Sequence, residues 1–197
     1  MARPIADDHD DKRAAILIAA ARLFADQGYG SASMGALAEA CGISKANIYH
    51  YYASKEAILF DILDTHLRGL RDRIAAIDHA GDDPEEQLRA IVREILMAYQ
   101  GADAEHEVQL KSLFLLPEAR QDTLRGYQRD IVAQVRDRLE RIAPDQAADR
   151  ARMRAVTMSV FAMLNWYYQW NTGAGSQARR DYAGLVVDLT LNGLRGL

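Results

Sequence analysis

One cysteine, Cys41, stands in a chain of 197 residues, so no intramolecular disulfide framework can form and folding needs no oxidising compartment. A reduced cytoplasm is the expected setting, with Cys41 a small buried apolar residue. Prolines are few as well, four in all, which leaves room for long helices. Long hydrophobic runs are missing. The most apolar segment, residues 155–170 (AVTMSVFAMLNWYYQW), is shorter than the ~20 residues a bilayer span needs and contains Asn165 and Gln169. It reads as a buried helix, and no membrane partner is expected. The opening MARPIADDHDDKR lacks the basic start and unbroken apolar run of a secretory signal, and residues 1–11 read as a disordered tail.

Signatures of catalysis are scarce too. GYGSAS at residues 28–33 starts like a dinucleotide-binding glycine motif, but Ser33 stands where the third glycine belongs and a helix precedes it instead of a strand. The histidines, His9, His50, His66, His79 and His106, show no metal-ligand spacing, and EHE at residues 105–107 lacks the second histidine of a zinc protease. No Ser, Cys or Lys stands in a recognisable nucleophile setting. The chain is therefore not expected to be an enzyme, and no cofactor or metal is expected. Positive charge is in short supply overall, with a formal net charge of -4. Residues 12–60 run against that trend: Lys12, Arg13, Arg22, Lys45 and Lys55 outnumber Asp26, Glu39 and Glu56. The acid lies elsewhere, so a phosphate-bearing partner remains open for this segment.

What the chain does have is helical periodicity. Ile16, Leu17, Ala20, Leu23 and Phe24 repeat at helical spacing up to Gly28, a helix-ending residue. Met34, Leu37, Ala38 and Cys41 mark a second short helix, GIS a turn, and Ser44 the cap of a third helix over residues 46–52. Ser54 caps a long fourth helix whose apolar positions run from Ile58 to Ile77. Asp83 and Pro84 open the next, with Glu86 placed to complete a capping box. Pro117 and Pro144 mark further starts, and Ser176 is expected to cap the last helix after a stop at Gly173. The expected fold is all-α, about nine helices without a strand.

Two short helices joined by a glycine-containing turn describe a helix-turn-helix, whose second helix enters the major groove of DNA. That arrangement accounts for GISKANIYHYY at residues 42–52, a stretch with more Tyr and His tips than a buried helix can satisfy. Lys45, Asn47, Tyr49, His50 and Tyr51 are the side chains such a helix offers to phosphates and base edges. Ala46 allows close approach to a base, such as a thymine methyl. Ile48 and Tyr52 point inward, and Arg13 and Arg22 read as surface charge.

Residues 16–63, from ILIAAARLF to the SKEAILFDIL of the fourth helix, closely resemble the DNA-binding domain of TetR-type transcriptional regulators. The helices that follow are similar to that family's ligand-binding and dimerisation domain. The resemblance implies that residues 12–53 bind DNA and that residues 54–197 sense a ligand and dimerise. It implies base contacts for Lys45 and Ala46, phosphate contacts for Tyr49, Tyr51 and Lys55, and either kind for His50. Ala32 replaces the threonine usual at the second helix start, so a hydroxyl contact there would come from Ser31 or Ser33. The last two helices, about residues 147–171 and 176–194, would form a homodimer that demands a palindromic operator.

The aromatic and apolar residues Met97, Tyr99, Leu113, Phe114, Tyr127, Phe161, Trp166, Tyr167 and Trp170 are candidates for a ligand pocket, and ordinary core packing is the competing reading of each. Residues 155–170 contain no acid, which disfavours a cationic ligand. Lys111, Arg120, Arg125, Arg129 and Arg136 favour an anionic ligand with an apolar body. LNWYYQWN at residues 164–171 also resembles, more loosely, family members that respond to acyl-CoA thioesters, which makes such a thioester the expected effector. The competing reading for the whole chain is a helical protein-interaction module that uses the helix-turn-helix only for packing.

Overall fold

The computed structural model describes residues 5–77 and 83–196, with side chains described from His9 onward. The first four residues of the expected tail, and His79, lie outside the described residues. Among the described residues nine α-helices follow in order: α1 (Ile5–Gln27), α2 (Met34–Ala40), α3 (Lys45–Tyr51), α4 (Lys55–Ala75), α5 (Pro84–Ala98), α6 (Asp103–Ser112), α7 (Glu118–Ile142), α8 (Arg150–Trp170) and α9 (Ser176–Arg195), with a 3-10 turn at Leu113–Leu115. No strand occurs among the described residues. Helix α1 begins at Ile5, inside the stretch read as a tail.

Most boundaries follow the capping chemistry. Gly28, at φ +79°, stops α1. Ser33, Ser44 and Ser54 each accept a hydrogen bond from a backbone N–H three residues on, at 3.0 to 3.1 Å. Asp83 caps α5 by accepting from Glu85 N at 2.9 Å, with Pro84 as the first helical residue. Two expected starts move. After Pro144 the chain forms turns, with Ala147 N bonded to Pro144 O, and α8 starts at Arg150, where the Asp149 carboxylate accepts from Arg152 N at 3.0 Å. Ser176 is the first residue of α9 and not its cap: Gly175 holds that place, and the Ser176 hydroxyl bonds Gln100 Oε1.

The chain packs as two compact units, residues 1–67 with 104–124 and residues 68–103 with 125–197. In the first, Ile16, Ala20, Phe24, Leu37, Ile48, Ile58, Leu59, Ile62 and Leu63 are all 3% exposed or less. Burying each large aliphatic chain is worth about 1.5 to 3 kcal/mol, which anchors the short helices α2 and α3, too short to stand alone in water. In the second, α5 packs on α9 and α8 on α9 around Ile91, Val92, Ile95, Val135, Leu139, Leu164, Val186 and Val187.

Candidate nucleic-acid interface and effector core

The turn between α2 and α3 is built around Gly42. Its φ of +65° lies in the left-handed region that favours glycine, and Ile43 N closes the turn on Ala38 O at 3.0 Å. The turn aims α3 so that Ile48 is fully buried and Tyr52 nearly so, while Lys45, Ala46, Asn47, Tyr49 and His50 face solvent. Tyr49 keeps 48% of its surface exposed. Tyr51 is half-buried because its ring lies 4.9 Å from that of His9 on α1 and meets His50 edge-on at 5.7 Å. His9 is a neighbour of this surface that sequence reading did not single out.

Beneath that surface lies a polar anchor. Arg13 on α1 donates to the Tyr52 hydroxyl at 3.0 Å and to Asp61 on α4 at 2.8 Å, and Tyr52 donates its own proton to the same carboxylate. Burial, together with the bond to Asp61, holds the Tyr52 phenol well above its ordinary range, so it stays a donor. Arg13 keeps 48% of its side chain exposed, as a surface charge would, and also ties α1 to α4 and to Tyr52, the residue that caps α3.

Lys55, at the start of α4, has its own set of partners. Its ammonium donates to the carbonyls of Tyr29 (2.6 Å), Gly30 (3.2 Å) and Ala32 (2.7 Å) and lies over the Tyr29 ring. An ammonium has three protons, and these three contacts tie the start of α4 to the loop between α1 and α2. Ser33 is exposed, and its hydroxyl accepts from Ala36 N while keeping its own proton to give.

The nine ligand candidates separate. Leu113 (buried) and Phe114 (63% exposed) lie in the first unit. In the second, Tyr99, Phe161 and Tyr167 belong to the core, Met97 and Tyr127 are partly buried, and Trp166 and Trp170 are more than half exposed. Tyr99 donates to Asn165 at 3.1 Å. Tyr167 stacks on Tyr182 at 4.6 Å, and Trp170 meets both edge-on. The feature that sequence reading missed is Arg179, 1% exposed, which donates to Ala174 O, Leu96 O and the Asp103 carboxylate and lies 5.6 Å from the Tyr167 ring centre. Its signal was present: Arg179 starts the stripe continued by Ala183, Val186 and Val187 on the buried side of α9.

The expected basic residues divide as well. In the first unit Lys111 pairs with Glu107, and Arg120 with Glu56 at 3.0 Å. In the second, Arg125, Arg129 and Arg136 line a surface cleft on α7. None of the nine candidates lines that cleft.

Comparison with known proteins decides the family. Residues 16–62 match the profile described as bacterial regulatory proteins, tetR family, and residues 81–194 match the tetracyclin repressor-like C-terminal domain. The chain belongs to the TetR family. This is a family of transcriptional regulators and not of enzymes. A TetR-family regulator from Bordetella parapertussis is 38% identical, superposes with a TM-score of 0.87 and covers 94% of this chain and 96% of its own. AibR, crystallised with isovaleryl coenzyme A and operator DNA, is 25% identical with a TM-score of 0.72, over 89% of this chain and 96% of its own. The repressor KstR2 of Rhodococcus jostii is 34% identical over 109 residues, 54% of this chain and 52% of KstR2. Against the curated relatives the match spans about half their length or less, 38%, 45% and 52% in three of them. As in other TetR-family chains, a helix-turn-helix segment precedes a larger helical domain, and no helix among the described residues is long and apolar enough to cross a membrane.

Proposed function

We propose that this TetR-family chain is a ligand-responsive repressor that binds a palindromic operator as a homodimer in the cytoplasm and is released by an acyl-CoA thioester. Residues 12–53 would read DNA and residues 54–197 would sense and dimerise. The observation that carries the reading is α3, which turns Ile48 and Tyr52 into the core and leaves Lys45, Ala46, Asn47, Tyr49 and His50 outward on one short helix. Such a helix offers charge for phosphates, a bidentate amide for adenine and a small residue for close approach.

Dimerisation is supported by the solvent side of the last two helices. Ala155, Ser159, Ala162 and Trp166 on α8, with Leu185 and Leu189 on α9, are exposed, a patch apolar enough to mark an interface. Two reading heads related by a two-fold axis would engage half-sites about 34 to 36 Å apart. The thioester is supported by the complex of AibR with isovaleryl coenzyme A and by the cationic α7 surface. Release follows when the effector favours a dimer conformation whose heads no longer match the operator.

Selection of bound sequences from a random DNA pool tests the reading. The native chain should enrich a palindrome, and Tyr49→Ala and Lys45→Ala should each lose it. Enrichment of no sequence at low salt would overturn DNA recognition. Adding acyl-CoA thioesters to the operator complex should release it, and retention with every thioester would remove the effector claim alone.

A further inference from the structure

We infer that the second unit carries an anion-binding cleft, between α7 and the start of α8, that receives the phosphates of a nucleotide bearing more than one of them. The cleft encloses about 800 Å³ and is lined by Arg136, Arg150 and Arg154, by the apolar side chains Val132, Ala147 and Met158, and by Glu140 and Thr157. That volume is typical of small-molecule sites.

The electrostatics of this corner are unfavourable without a ligand. Helix α8 opens with Arg150, Arg152 and Arg154 inside its first turn and a half, where the helix dipole already presents positive charge. Arg150 and Arg154 are four residues apart, a like-charge spacing that destabilises a helix. Arg152 is relieved by Asp149 at 3.6 Å. The side chains of Arg150 and Arg154 make no ion pair or hydrogen bond among the described residues. Arg136 has only a long contact to Glu140, at 3.6 Å with both partly exposed. Three guanidiniums thus face one carboxylate. Local conflict of this kind collects at functional sites, and guanidinium forks match phosphate oxygens in pairs.

A second cleft of about 560 Å³ adjoins the first through Val132 and Arg136 and adds Arg125 and Arg129, with Asp130 as its one carboxylate. The cationic surface therefore runs from the head of α8 along α7, farther than a single phosphate requires, and its apolar wall suits the organic part of the ligand. The inference rests on the proposed effector in one respect: it takes coenzyme A, with its diphosphate and sugar phosphate, as the nucleotide carrier.

Calorimetric titration of the full-length chain with coenzyme A, and with pyrophosphate as competitor, tests it. Coenzyme A should bind the native chain, be displaced by pyrophosphate, and bind at least tenfold more weakly to the Arg150→Gln/Arg154→Gln variant. Arg152→Gln, already paired with its cap, should change affinity less than threefold. The ligand-free double variant should melt at the same temperature as the native chain or about 1 to 3 °C higher, because its removed charges oppose the dipole; an arginine pair serving structure alone would lower it. Should the double variant fail to fold, each single substitution should weaken binding at least threefold. Equal affinity in native and variant chains, or no binding of coenzyme A or pyrophosphate at all, overturns the cleft. Operator release measured in parallel separates the two claims. Release by a thioester that persists unchanged in the double variant sinks the cleft and leaves the effector reading standing, whereas arginine-dependent binding of coenzyme A with no release does the reverse.

Discussion

Replacing Lys45 by alanine removes an exposed cation from α3, and the slope of log affinity against log salt should flatten by about 0.9, as for one lost phosphate contact. Lys55→Ala should leave that slope unchanged and instead cost about 2 kcal/mol in urea unfolding, since it strips donors from three loop carbonyls. The two lysines are ten residues apart, and only the fold distinguishes them. Tyr52→Phe should cost about 1 kcal/mol, because the Arg13 to Asp61 pair survives without the hydroxyl. Its effect should also depend on pH. Tyr52 is held above the ordinary phenol value of 10.0, so the folded chain keeps this proton more tightly than the unfolded one. The contribution is complete below pH 10 and is lost as pH rises through the higher folded value. Native protein should therefore lose stability more steeply than Tyr52→Phe in unfolding curves taken above pH 10.

At the scale of elements, the turn before α3 is the most sensitive point. An added Cβ at Gly42 meets nothing within 4 Å, so space is not the constraint, whereas φ is. Gly42→Ala should cost about 1 to 2 kcal/mol and loosen operator binding, read by urea melts and a gel-shift series. Helix order was legible because apolar positions such as Ile16, Ala20 and Phe24 repeat at the helical period. Caps were legible where one polar residue stood alone before the run, as Ser44 does. They were ambiguous in PDQAADR at residues 144–150, where Asp145 and Asp149 compete, and Asp149 won over the proline signal. Contacts between distant residues left no periodic trace. Arg13 meets Asp61 across 48 residues and Arg179 meets Asp103 across 76, and neither pairing can be read from spacing. The exposed α3 residues were legible because local amphipathicity alone decides which face is outward. The ligand candidates were not, since aromatic residues serve core and pocket alike.

For the whole molecule, the proposed dimer makes the sharpest demand. Leu189 is 56% exposed on α9, and Leu189→Glu should shift sedimentation to the monomer while leaving the helical content of the chain intact. Operator affinity should then fall by two orders of magnitude or more as the second reading head is lost. Charge is distributed as unevenly as function. Residues 12–60 are basic while the whole chain carries a formal charge of -4, so the acidic surplus sits entirely outside the segment proposed to read DNA. In the field of a polyanion the cations of residues 12–60 are drawn toward the phosphates before any contact forms, while the four aspartates at residues 7, 8, 10 and 11, at the start of α1, oppose that pull. That local attraction acts on the rate of encounter more than on the lifetime of the complex, so rising salt should slow association before it speeds dissociation.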